Sequence, residues 1–140
     1  MKIEQVIQMD KIDKSITSQA IIYKDEVYTY FDSGLTRHVF VNPDKTKVIK
    51  ILIDKYSKEY NEEEVEIYKN ASEEQRKEMA ETSTTYDGFV VEQEFCSPIK
   101  FDDRKMNIPQ MLFASSCRNE VGWDKDGKLK CFDLDEYKKW

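Results

Sequence analysis

Lys50 is the residue whose placement most invites chemistry. It interrupts the apolar run Val48-Ile49-Lys50-Ile51-Leu52, where an ammonium group costs stability unless an acid or an anion meets it. Fourteen residues later Glu64 lies in NEEEVEIYKNA, a helix-patterned stretch directly following the lysine strand. A strand lysine is thereby offered a helix carboxylate. The bland alternative is a lysine on the wet face of a half-buried strand, since Val48 and Leu52 share its parity and either face could meet solvent. Other reactive types are sparse. His38, the single histidine, stands beside Arg37 and reads as half of a surface pair. Cys117 has no nearby histidine and acid to activate it, so it reads as an inert thiol. Met106, Met111 and Phe113 read as core.

The elements that must position Lys50 and Glu64 are hairpins followed by helices. Residues 1 to 19 form a polar lead-in in which Ile3, Val6, Ile7 and Met9 suffice for one short strand or one amphipathic turn. The stretch AIIYKDEVYTYF is rich in β-branched and aromatic residues, with Lys24-Asp25-Glu26 as a hairpin tip. Asp32-Ser33-Gly34-Leu35-Thr36 is a glycine turn, and Asn42-Pro43-Asp44-Lys45 is a second turn before the lysine strand. Four strands are thus expected in the first 53 residues. Asn61 reads as the N-cap of a helix whose glutamates favour its N-terminus, with Val65, Tyr68 and Ala71 facing inward. Ser72 with Gln75 forms a capping box for a second helix reaching Met79 and Ala80 and stopping in Thr82-Ser83-Thr84-Thr85. Phe89 to Phe95 reads as a strand ended by Ser97-Pro98. Residues 104 to 118 allow a short helix near Pro109, and Asp124-Lys125-Asp126-Gly127 turns a closing hairpin.

Composition bounds the class. A chain of 140 residues with 39% hydrophobic and 12% aromatic residues is read as one globular domain, and 36% charged residues predict a heavily solvated surface. A net charge of -6 without a basic stripe disfavours direct nucleic-acid binding. Three cysteines without CxxC spacing argue against a disulfide framework or zinc site and for a reducing compartment. The charged N-terminus does not read as a secretory signal, and nothing approaches the ~18 apolar residues of a membrane span. A cytoplasmic protein is expected.

The motifs SGLTRH, KVIKI, NEEEVEIY, VVEQEF and FDLDE, in this order, resemble the protein-kinase-like family, and more narrowly the short kinase-like proteins of tailed bacteriophages. The resemblance covers roughly residues 20 to 137 of a single truncated domain spanning 1–140, with 1–19 poorly defined. It implies an α+β fold: a kinase-like N-lobe, an antiparallel sheet with a packed helix, and a strongly reduced C-lobe. By the same resemblance Lys50 would hold nucleotide phosphates and Glu64 would orient it. Gly34 would lie in the phosphate loop, and Glu94 and Cys96 would lie where the adenine is received. Asn119 and Asp133 would hold magnesium, making ATP and Mg the implied cofactors.

Departures from the family shape the functional expectation. One glycine stands where the kinase loop has three. Ala114 occupies the position, five before Asn119, of the aspartate that accepts the substrate proton. Only 23 positions separate Cys96 from Asn119, seven residues follow Asp133, and DLD replaces DFG, leaving no room for a supporting helix or activation segment. The expected function is a catalytically inactive module that binds a host protein, in a counter-defence role such as inhibition of a CRISPR nuclease. The acids Glu62, Glu63, Glu73 and Glu74 are its candidate partner-binding residues. Two alternatives stand beside it. One is a compact ATP/Mg-dependent phosphotransferase with Asp103 or Asp135 as base, and the other is a nucleotide or second-messenger binding protein.

Overall fold

The computed structural model describes residues 1–99 and 121–133, and among them the fold is α+β. A hairpin of β1 (Ile21–Tyr23) and β2 (Glu26–Ser33) is followed by β3 (Arg37–Val41) and β4 (Lys47–Leu52), so the four expected strands are present. Helix α2 (Glu59–Asn70), the short α3 (Glu73–Arg76), β5 (Thr82–Thr85) and β6 (Val90–Glu94) come next. These six strands form one antiparallel sheet in the order β1-β2-β3-β4-β6-β5. A three-stranded sheet of β7 (Ser97–Pro98), β8 (Val121–Trp123) and β9 (Leu129–Cys131) closes the described chain.

Local chemistry explains the turns. Lys24 and Asp25 take φ of 46° and 65°, the two left-handed residues that a tight hairpin matched to strand twist requires. Ser72 and Gln75 close the capping box that the sequence announces, at 3.2 Å and 2.9 Å, but α3 ends at Arg76. Thr82–Thr85, expected as a helix stop, is instead the edge strand β5, a use that suits β-branched threonine. Helix α2 starts before Asn61, which is fully buried rather than a cap. Its side-chain nitrogen donates to Gly88 O at 2.8 Å and holds the β5–β6 turn against the helix.

At β4 both faces of the sheet are covered. Ile49 and Ile51 of β4 pack with Phe40, Val90, Tyr23 and Tyr28 under the first residues of the chain. That lead-in contributes Ile3 and Val6 from the helical turn α1 (Ile3–Val6), and Ile12 and Ile16 beyond it. Val48, Lys50 and Leu52 occupy the opposite face, so neither face of β4 is the wet one. His38 is buried too, at 3% exposure, and the expectation of a surface pair fails for it and for Arg37. The cause is tertiary: Ile12 O lies 3.1 Å from His38 Nε2 and Ser33 Oγ 2.7 Å from Nδ1. A carbonyl only accepts, so Nε2 carries the proton in the neutral ring and Ser33 donates to Nδ1.

The second sheet packs against the C-terminal half of α2. Met79, Val121, Leu129 and Cys131 form a cluster against Ile67, Tyr68 and Ala71 of the helix region, and Cys131 N and O bond to Glu78 O and Ala80 N. Gly122 is required here, because a Cβ on it would stand 2.4 Å from Ser97 O. Cys96 is a free buried thiol, whereas Cys131 is disulfide-bonded, against the expectation of no disulfide. Sequence spacing carries no information on which thiols the fold brings together, so the compartment argument from the cysteines lapses.

Candidate functional site

The sheet register fixes Lys50 at the centre of the site. It sits opposite Val39 on β3 and Val91 on β6, so its side chain projects from the middle of the sheet toward α2. Glu64, one helical turn beyond Asn61, meets it there. Lys50 Nζ donates to Glu64 Oε2 at 3.0 Å and Oε1 at 3.2 Å, and to Phe132 O at 2.7 Å. Lys50 is 5% exposed and Glu64 0%. Burial lowers the lysine pKa; Glu64 opposes that effect and the Arg37 charge adds to it.

Arg37 is the member of the site that the sequence reading did not assign. Its Nη1 donates to Glu64 Oε1 and lies 3.4 Å from Asn61 Oδ1, while Nη2 stands 3.9 Å from Asp133 Oδ1. One buried carboxylate therefore serves two cations. A signal existed in the strand parity, since Arg37 shares a face with Val39 and Val41 (both inward), but position next to the glycine turn masks it.

Beside this cluster lies a cavity of about 470 Å³. Gly34, Lys50, Glu94, Cys96 and Asp133 all line it, so the structure brings together the described members of the expected nucleotide set, with Glu64 behind Lys50. Each is engaged in a particular way. Glu94 is gripped by Lys130 Nζ at 2.9 Å and 3.1 Å. The Cys96 thiol is pushed up to about 12 by burial and by nearby Glu94, which leaves it inert at neutral pH. Gly34 has open space around the position of a Cβ. Asp133 is the one described member of the expected magnesium pair. Asn119 lies outside the described residues, as do Asp103, Ala114, Asp135 and the helix expected near Pro109. Among the described residues no group of three or more His, Cys, Asp or Glu side chains could hold a metal ion.

Of the partner-binding candidates, Glu62, Glu73 and Glu74 are exposed and Glu63 is half-buried. Glu62 lies in the first turn of α2 with Glu63 just after it, and Glu73 and Glu74 lie in the first turn of α3, beyond the C-terminal end of α2. No helix among the described residues is long and apolar enough to cross a membrane.

No protein-family model matches the chain, and no curated protein matches it.

Proposed function

We propose that the chain is a kinase-like binding domain without phosphoryl transfer, which acts on a host protein in a phage-infected cell. The observation that carries this reading is the sharing of Glu64 by Lys50 and Arg37. A strand lysine, the glutamate of the following helix and a cavity reaching Cys96 support the kinase-like half. The silent half is supported by the same atoms, because Lys50 spends its donors on Glu64 and on Phe132 O and has little left for a triphosphate. Ala114 in place of a catalytic base points the same way.

The exposed acids on α2 and α3 supply a surface that steers toward a basic patch on a partner. Counter-defence belongs to this reading as the cellular setting.

Capture from host lysate with the tagged protein tests it, together with radiolabelled ATP and magnesium or manganese. A stoichiometric partner that is lost when Glu62, Glu73 and Glu74 are reversed to lysine is the expected result. Label transfer abolished by both Lys50→Ala and Asp133→Ala would overturn it in favour of a compact phosphotransferase. The nucleotide-binder reading is favoured by one observation, the cavity itself, and calorimetry showing tight magnesium-dependent ATP binding would select it.

A further inference from the structure

The chemistry the cavity offers is read from the polar groups of the residues that line it. Among the described residues that line it the cations are Arg37 and Lys50, and both bond to Glu64. Two buried atoms have no hydrogen-bond partner and belong to residues lining the cavity: Gln93 Oε1 and Asp133 Oδ1. Both are acceptors. Gln93 is 1% exposed, and its Nε2 donates to Thr82 Oγ1 at 2.8 Å, which fixes the amide with its oxygen on the other side. The cation nearest Asp133 Oδ1 is Arg37 at 3.9 Å, beyond hydrogen-bond reach. Unpaired buried acceptors are costly, so each is a place where a donor on a ligand gains more than it would from water.

Charge points in the same direction. Among the described residues the carboxylates in and around the cavity are Asp32, Glu64, Glu94, Asp124 and Asp133, and the cations are Arg37, Lys50 and Lys130. Acids are in excess among these described groups, a balance that disfavours a phosphate compound and favours a cation. Phe31 and Phe95 pack edge to face at 5.5 Å on the cavity wall, and Phe31 is 40% exposed, so an aromatic ring is open to an apolar stem or to a cation above it.

We infer that this cavity binds a small organic cation, an amine or guanidinium on an apolar stem, whose N–H groups donate to Gln93 Oε1 and Asp133 Oδ1. The inference rests on the cavity alone and stands whether or not the chain is kinase-like. Such a group comes either from a free amine or from an arginine side chain of a protein.

The test is titration of the ¹⁵N-labelled protein with agmatine, with acetylated Gly-Arg-Gly amide, and with inorganic triphosphate. Agmatine is expected to move the amides of Phe31, Gly34 and Cys96. Asp133→Asn, on a partly exposed side chain, and Gln93→Leu are each expected to weaken it roughly tenfold or more, the worth of one charge-assisted hydrogen bond. Retained spectral dispersion in Asp133→Asn separates lost binding from lost folding. If the peptide binds as well, a protein side chain is an admissible source; if agmatine alone binds, the ligand is a free amine. Triphosphate moving those amides while both cations leave them still would overturn the inference. So would agmatine shifts confined to Lys45 and Lys125, which border a smaller cavity of about 240 Å³ that Gln93 also touches.

Discussion

Lys50 and Glu64 meet at 3.0 Å with both side chains essentially out of water. A pair so buried is held by geometry, since the cost of removing two charges from water nearly cancels their attraction. Breaking it is another matter. Glu64→Gln leaves Lys50 and Arg37 buried without their shared carboxylate, and a loss of about 3–5 kcal/mol is expected. Urea unfolding checks this, and a change below about 1 kcal/mol would show that the carboxylate is not the anchor.

Gly122 should tolerate no side chain. Its Cβ position is 2.4 Å from the backbone oxygen of Ser97, and backbone cannot swing aside as a side-chain tip can. Gly122→Ala is expected to cost about 1–3 kcal/mol by overpacking. Gly34→Ala, with nothing within 4 Å, serves as the control and should leave the melting temperature nearly unchanged.

Glu92 gives the chain an acid-sensitive element outside the cavity. Burial opposes its charge, yet Lys24, Lys47 and Tyr23 together hold its pKa down to about 2. A depressed carboxylate stabilises the fold above its unfolded value, and the contribution is lost as pH falls toward the folded value. The stability gap between wild type and Glu92→Gln should therefore be constant above about pH 5.5, narrow below the ordinary glutamate value of 4.5, and close near 2. A gap independent of pH across that window would show that Glu92 is not paired as described.

His38 fastens the lead-in to the sheet through Ile12 O, at 3.1 Å. His38→Ala removes that donor and should cost about 1–3 kcal/mol, as loss of a partner to a buried acceptor does. Hydrogen exchange should rise first in residues 3 to 16. Unchanged protection there would refute the tether.

The legible parts of this fold were those encoded by neighbours in the chain. Lys24-Asp25 and Asp124 to Gly127 are turn chemistry, Ser72 with Gln75 is cap chemistry, and the Lys50–Glu64 pair follows from an apolar strand leading into an acidic helix. Arg37, Asn61 and Gln93 were not legible, because their burial depends on strands β3 and β6 and the β5–β6 turn converging on α2. A polar residue gives no local sign that a distant carbonyl or carboxylate awaits it. The same holds for Thr82–Thr85, whose composition suits a loop until β6 lies beside it.

Lys50 also bonds to the carbonyl of Phe132, at 2.7 Å, just past the end of β9. A single side chain thus clasps the central strand of the large sheet to the exit of the small one. Motion cannot be local to either: a ligand that draws Lys50 away from Phe132 loosens the exit of β9, and strain applied at β9 is felt at β4. The two sheets are geared together at Lys50 and again where Lys130 of β9 holds Glu94 of β6, so slow opening of their amides should keep the same time.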